Sequence, residues 1–331
     1  MQTLRFTIKP LTAFGTPLVG DTLFGQLCWI LRHHFGNEWL TERLAGYTQS
    51  NPFLVLSDAF PSGFLPLPAM PVACWAADES ADRKALKKRR WLPLKEISTS
   101  FRDWQKLAKN DREVAKAVLR DSVSSTLSLS RNGGGYQILS PQPHNSINRT
   151  TGSTGEDMFA PYSLTQVWFH SAMRFNLYAV IDEKRLSAES LHTALTDMGQ
   201  SGYGANASIG LGKFEIERDA GFAGLPHAKN ANAFLTLAPC APQNLGFAAA
   251  KSFYQPLTRF GRHGDAAALS GNPFKRPLLM AKTGAVFTPE SGQCTAFTFI
   301  GQGLGDVSPS QPETVAQGYA PIIGIRMEIE P

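Results

Sequence analysis

Leu4, Phe6 and Ile8 alternate with Arg5, Thr7 and Lys9, a period of two that predicts a first strand with one wet face. After a loop holding Phe14, Gly15 and Pro17, Gly20-Asp21-Thr22 predicts a helix start with a capping side chain. Leu23, Leu27, Ile30, Leu31 and His34 fall near one stripe of that helix, which runs to a stop at Gly36. Residues 51–75 hold a short apolar strand bounded by prolines and an Asp turn, because so many prolines exclude a helix and a central strand. Extended chain returns at residues 166–169, and Phe175, Leu177, Ala179 and Ile181 alternate through a further strand. Ser187 then caps a helix whose Leu191, Leu195 and Met198 share one face, with Gly199 as its stop. An uncharged glycine-rich loop, residues 202–212, leads into Lys213-Phe214-Glu215-Ile216-Glu217, which alternates like a half-buried strand.

From Leu4 to Ile216 the order is thus β-α-β, a large insertion, then β-α, glycine loop and β. An antiparallel sheet with helices on one face, the ferredoxin-like arrangement of the α+β class, is the compact solution to that order. The last hundred residues carry fewer charges and more Pro and Gly. Strands are expected at 234–237, 277–281, 285–287, 296–300 and 323–329, with turns at Gly284 and Gly292, so this part is mostly β.

The charge is distributed unevenly along the chain. The 331 residues carry a net charge of +5, yet residues 82–131 alone hold 14 Lys/Arg against 6 Asp/Glu, a local balance of +8. The basicity sits in one inserted arm, and an anionic partner is favoured. Within it, Lys84, Lys87, Lys88, Arg89 and Arg90 precede Trp91, and Phe101 and Trp104 follow at the head of a helix expected over 101–119. Cations beside aromatics suit phosphate contact with base stacking, although a solvated charged face or a nuclear-import patch has the same letters. The four cysteines are far apart, which argues against a zinc site, gives no disulfide framework and favours a reducing, cytoplasmic location. No signal peptide or membrane-spanning segment is read from the chain.

The glycine loop admits three readings. Gly202, Gly204, Gly210 and Gly212 leave backbone amides uncovered and permit positive φ, which suits a phosphate cradle or a tight structural turn. The letters Gly202-x-Gly204-x-x-Ala207 also fit a loose dinucleotide fingerprint, but that motif requires a strand before and a helix after, and the order here is reversed. A second polar stretch, residues 144–155, mixes Asn145 and Arg149 with glycines, hydroxyls and amides suited to phosphate, ribose and base edges. Arg259, Arg262 and His263 lie on a turn-rich loop that can grip phosphate or simply lie on the surface. His33-His34 invites a general-base reading, but neighbours on a helix diverge by about 100°, and histidines at a helix end also serve its dipole. No P-loop, H-E-x-x-H, nucleophile elbow or paired-carboxylate motif is present. No cofactor and no metal is expected.

Six segments in one order carry a resemblance. They are Gly20-Asp21-Thr22-Leu23-Phe24-Gly25, Ser57-Asp58-Ala59-Phe60-Pro61, the run from Lys87 to Leu94, Asn145 to Gly152, Gly202 to Phe214, and Val315-Ala316-Gln317-Gly318-Tyr319-Ala320-Pro321. Over nearly its whole length the chain resembles the RAMP superfamily of CRISPR effector subunits, most closely the type III-A (Csm) subunit that holds the crRNA 5′ handle. The resemblance implies two ferredoxin-like (RRM-like) domains, residues 1–220 and 230–331, with an inserted thumb at about residues 76–160 that interrupts guide–target pairing. It also implies no nuclease role, and as partners crRNA, target RNA near the handle, the large polymerase-like subunit and backbone RAMP subunits. Candidate RNA contacts are Lys87, Lys88, Arg89, Arg90, Asn145, Arg149, Gly202, Gly204, Asn206, Ser208, Gly210, Gly212 and Arg259. The competing reading is a metal-independent endoribonuclease that matures pre-crRNA, with His33, His34 or His144 as base.

Overall fold

The computed structural model describes residues 1–76, 82–120, 135–155, 157–269, 271–291, 294 and 297–328. Of the sequence expectations, the Arg131–Gly134 part of the glycine run, the end of the basic arm, the turn at Gly292, and the strand ends at Ala296 and Ile329 lie outside these residues.

The first sheet is built from β1 (Gln2–Pro10), β2 (Leu54–Pro61), and two strands that follow the insertion. The first helical layer holds α1 (Gly20–Phe35) and α2 (Asn37–Leu44). The insertion contributes β3 (Phe64–Pro66), α3 (Arg83–Lys87), β4 (Trp91–Pro93), α4 (Trp104–Leu107), α5 (Asp111–Arg120) and the hairpin β5 (Gln137–His144) with β6 (Tyr162–Phe169). After it come β7 (Phe175–Ile181), α6 (Ala188–Ser201) and β8 (Phe214–Arg218). The strands run β2-β7-β1-β8, every pair antiparallel, with Phe6 opposite Leu177 and Ile8 opposite Ile216. Leu23, Leu27 and Leu31 of α1 and Leu191, Leu195 and Met198 of α6 share one core with Leu4, Phe6 and Ile8. Each of these sets repeats at the period its element requires, which is why the alternation and the stripes were readable.

The second sheet contains β9 (Ala233–Thr236), β12 (Val286–Phe287), β13 (Phe299–Leu304) and β14 (Ala316–Ile325), in the order β12-β9-β14-β13. A separate ribbon pairs β10 (Pro256–Arg259) with β11 (Leu278–Ala281). No α-helix occurs among the described residues after Ser201. The protein is therefore of the α+β class with antiparallel sheets. β14 begins well before the expected strand at 323, and from Gln317 to Ile325 it is buried. No helix among the described residues is long and apolar enough to cross a membrane.

Two expectations about the arm are corrected. The single helix over 101–119 is two helices, because the backbone of Lys109 pairs in both directions with that of Trp91 (2.7 and 3.1 Å) and so leaves the helical path. Asn110 then restarts the chain as a capping box: its Oδ1 accepts from the Glu113 amide (3.0 Å), and the Glu113 carboxylate accepts from the Asn110 amide (2.8 Å). Nor are Phe101 and Trp104 free to stack on bases. Both are 2% exposed and belong to a core shared with Trp75, Leu65 and Leu235. Their rings pack on one another (5.0 Å between centroids), and Phe101 stacks on Trp75 (5.2 Å).

Candidate nucleic-acid interface

The loop between α6 and β8 is a folded object. Ser187 caps α6 as expected, its hydroxyl accepting from the Ser190 amide (3.1 Å). The helix ends at Gly202 with φ 100°, and Gly204, Gly210 and Gly212 have φ of 75°, 95° and 73°. Asn206 joins them at 66°, a left-handed conformation that asparagine tolerates better than most side chains. At Gly212 a Cβ would stand 2.1 Å from the Tyr203 carbonyl, and at Gly204 it would meet Thr16 at 2.5 Å, so both positions need glycine for space as well as for φ.

Most of the loop's amides are spent within the protein. Those of Gly202, Tyr203, Ile209, Gly210, Leu211 and Gly212 bond the carbonyls of Met198, Gly212, Asn206, Ala207, Asn206 and Ala13. The Gly204 amide donates to the Gln26 side chain (2.9 Å) and the Ala205 amide to the Thr16 hydroxyl (2.9 Å). Only the amides of Asn206, Ala207 and Ser208 take no part in these bonds. The expected cradle of free amides thus reduces to that one stretch, at a single 3-10 turn spanning Ala207–Ile209. Ser208 and Ile209 are exposed there. For the most part the glycines let the loop fold against α1 and residues 11–17.

Residues that the letters did not single out hold this surface together. The Gln26 amide on α1 also donates to the Gly202 carbonyl (2.7 Å), so one side chain clamps both ends of the loop's first turn. The Tyr203 hydroxyl donates to the Pro17 carbonyl (2.8 Å). Phe14 exchanges two backbone bonds with Val167 (2.9 Å each), which joins the β5–β6 hairpin to the same segment. α1, residues 11–17, the glycine loop and β6 thus form one continuous surface.

At the start of α1, neither Asp21 nor Thr22 caps the helix, contrary to expectation. Asp58 of β2 takes that place: its Oδ1 accepts from the Gly20 amide (2.8 Å) and its Oδ2 from the Thr283 hydroxyl (2.5 Å). Burial pushes this carboxyl up to about 7, against the two hydrogen bonds that favour its charged form. Asp21 instead receives Arg259 in a two-point ion pair, at 2.6 and 2.5 Å. The Arg259 guanidinium therefore ties the ribbon β10–β11 to α1, and its donors toward Asp21 are not open to phosphate.

The four cations of the basic run differ from one another. Lys87 and Lys88 are exposed at the end of α3. Arg89 is turned inward onto the backbone carbonyls of Gln105 (3.2 Å) and Lys106. Arg90 pairs with Asp111 (2.8 and 3.0 Å), and that carboxylate also accepts from the Trp91 indole (2.8 Å). At the tip of the β5–β6 hairpin Asn145 and Arg149 are exposed, and Asn148 shapes the turn by accepting from the amides of Thr150 (2.9 Å) and Gly152 (2.8 Å). The structure thus gathers Gly202–Gly212 with α1, whereas the basic run and the hairpin tip stand on the insertion.

The histidines have separate environments. His33 pairs with Asp265 and His34 with Asp197 (2.8 Å), on different elements, as their divergence along α1 requires. His144 stacks on Tyr162 at 5.3 Å with 13° between the planes. Among the described residues no group of His, Cys, Asp and Glu is placed to hold a metal ion.

No protein-family model and no curated protein matches this chain. Solved structures do match it in fold. One chain of the Csm3–Csm4 subcomplex of the type III-A CRISPR-Cas interference complex aligns with a TM-score of 0.62 at 13% identity, covering 98% of this chain and 99% of that one. A chain of the Csm1–Csm4 cassette in complex with pppApA aligns at 0.56 and 14% identity over 98% and 99%, and one from the same cassette in complex with cA4 at 0.56 and 13% over 99% and 100%. At such identity the likeness is one of fold, and it spans both chains end to end. Csm4 is the component common to these complexes.

Proposed function

We propose that this protein is the Csm4-like RNA-binding subunit of a type III CRISPR ribonucleoprotein in antiviral defence. In this reading it works in the cytoplasm, holds the 5′ handle of the crRNA, caps the complex, and docks the large polymerase-like subunit and the backbone subunits. It has no catalytic role of its own. The observation that carries the proposal is the end-to-end fold match to chains of Csm3–Csm4 and Csm1–Csm4 complexes. The order β2-β7-β1-β8 with α1 and α6 supports a ferredoxin-like unit in residues 1–220, and β12-β9-β14-β13 supports a second RAMP unit in 230–331. Residues 76–160 are then the thumb, whose β5 pairs with β6 just beyond it. The RNA path runs over the surface made by α1, residues 11–17 and the glycine loop, and Lys87, Lys88, Asn145 and Arg149 are the insertion's contacts to it.

Fluorescence anisotropy with repeat-derived single-stranded RNA, against a scrambled sequence of equal length, tests the reading. Tighter binding of the handle sequence, and recovery of a complex with co-expressed Csm1- and Csm3-type subunits, are expected. Equal affinity for both RNAs together with no assembly would overturn it. Incubation of repeat RNA with the protein in EDTA addresses the endoribonuclease alternative: specific cleavage lost on His33→Ala, His34→Ala or His144→Ala would refute a purely binding role.

A further inference from the structure

One turn along α1 from Gln26 the helix opens onto a cleft of about 870 Å³, walled by α1, α2, His263, Lys275 and residues 311–315. None of the candidate RNA contacts considered above lines it, although His263, from the turn-rich loop, does. Two cations do, Arg32 and Lys275, and among the described residues neither makes an ion pair. Glu313 is the one carboxylate among the lining residues, and it is exposed. His263, also in the wall, is bonded to the Ser308 hydroxyl (2.7 Å).

Lys275 is the informative residue. Its stem packs on Gly261, it is half-buried, and burial lowers the ammonium's pKa against the opposing pull of Cys28 and Asp21, so the charge is partly desolvated and has no anionic partner in contact among the described residues. An anion entering the cleft supplies that partner. The Arg32 guanidinium lies over the Trp29 ring (5.0 Å), so this cation comes with an aromatic body beside it. Asn37 at the start of α2 and Gln311 on the facing loop add side-chain amides, which can donate to and accept from sugar hydroxyls or base edges. A bare inorganic anion would use the cations and leave most of the volume, the indole and both amides without a role. Clefts of a few hundred to about a thousand Å³ with a few convergent polar groups suit small organic ligands.

We propose that this cleft binds a nucleotide, its phosphate on Arg32 and Lys275 and its sugar or base edge on Asn37 and Gln311. The nucleotide is either free or one residue of an RNA strand. Only in the second case does the inference rest on the RNA-binding reading above.

Isothermal titration of the full chain with adenosine 5′-monophosphate, adenosine and inorganic phosphate is the test, beside anisotropy with the repeat-derived RNA. The variants are Arg32→Gln and Lys275→Met, with Lys275→Arg to keep the charge, each first shown to melt cooperatively. For a free nucleotide, the monophosphate binds at least about tenfold tighter than adenosine or phosphate, each charge removal weakens it about tenfold, and Lys275→Arg restores most of the loss. For a strand-borne nucleotide, the monophosphate does not bind, and RNA affinity falls by a similar factor in both charge-removal variants. Equal binding of monophosphate and adenosine, or unchanged affinity for both ligands in folded variants, overturns the inference. Should Lys275→Met fail to fold, Arg32→Gln alone decides the charge dependence. RNA binding that is insensitive to both cations, together with no cation-dependent binding of the monophosphate, sinks this inference alone, and monophosphate binding without any RNA binding sinks the RNA reading alone.

Discussion

The side chain of Gln317 bonds both backbone groups of Leu56: its Nε2 donates to the Leu56 carbonyl (2.8 Å), and its Oε1 accepts from the Leu56 amide (2.9 Å). A side chain of β14 thus does for β2 what a neighbouring strand would do. It is needed because β2 is the edge strand of its sheet, and directly after Leu56 the register on β7 also shifts. Two further backbone amides there are also met from outside, Asp58 by the Leu237 carbonyl (2.8 Å) and Ala59 by the Leu18 carbonyl (3.0 Å). Gln317 is fully buried, so no water replaces it. Gln317→Leu is expected to cost about 2–4 kcal/mol, because two buried backbone groups lose their partner. Urea unfolding measures it, and a loss under about 0.5 kcal/mol would show that the groups find other partners.

Asp58 gives the protein a pH dependence with a definite sign. Its carboxyl is raised from 3.8 to about 7 in the folded protein, chiefly by burial, with Asp21 adding to the rise and Arg259, Thr283 and the Gly20 amide opposing it. The native state therefore holds this proton more tightly than the unfolded chain. The Asp58 contribution is full below about pH 4, declines as pH rises toward 7, and is level above that. Asp58→Asn is expected to flatten the rise in melting temperature on acidification between about pH 7 and pH 5, and to melt no lower than the wild type near pH 8. An unchanged pH profile in the variant would assign the dependence to other groups.

The elements that were legible in the sequence are those whose side chains repeat. Leu4, Phe6 and Ile8 mark β1, and Leu191, Leu195 and Met198 mark α6, because each set must face one core. The insertion was legible only as charge and composition, and its one long helix proved to be two, since a strand partner for Lys109 leaves no local signature. The polar positions that organise the candidate site were illegible for a similar reason. Gln26, Thr16 and Asp58 have ordinary letters, and their partners Gly204, Ala205 and Thr283 lie 178, 189 and 225 residues away. Arg259 was legible as a cation but not as the partner of Asp21, a distinction that turns a candidate phosphate contact into a tie between ribbon and helix.

The glycine loop separates space from conformation. A side chain at Gly204 meets Thr16 at 2.5 Å, whereas at Gly210 it meets nothing within 4 Å, although φ is positive at both. Gly210→Val is therefore expected to cost only the left-handed strain, about 1–2 kcal/mol, and Gly204→Val that strain plus displacement of Thr16. Both should weaken binding of the handle RNA, Gly204→Val more. Thermal melts and anisotropy together check this, and a folded Gly204→Val protein with wild-type affinity would remove the loop from the RNA path. Gln26→Ala should act in the same direction with no strain at all, by releasing the Gly202 carbonyl and the Gly204 amide together.

The salt dependence of RNA binding should divide the basic run in two. Lys87 and Lys88 are exposed and make no ion pair among the described residues, so their charges are available to phosphate. Arg89 is bonded to two backbone carbonyls, and Arg90 to Asp111, so their first roles are within the arm. For a single strand each neutralised phosphate contributes about −0.7 to the slope of log affinity against log salt. Lys87→Ala with Lys88→Ala is therefore expected to flatten the slope by up to about 1.4 with the melting temperature unchanged. Arg90→Ala should do the reverse: it leaves Asp111 without its guanidinium partner and lowers stability, while the slope stays near the wild-type value. Anisotropy titrations across a salt series, paired with thermal melts, read both quantities. A slope that changes with Arg90 and not with the two lysines would place the RNA on the other side of the arm.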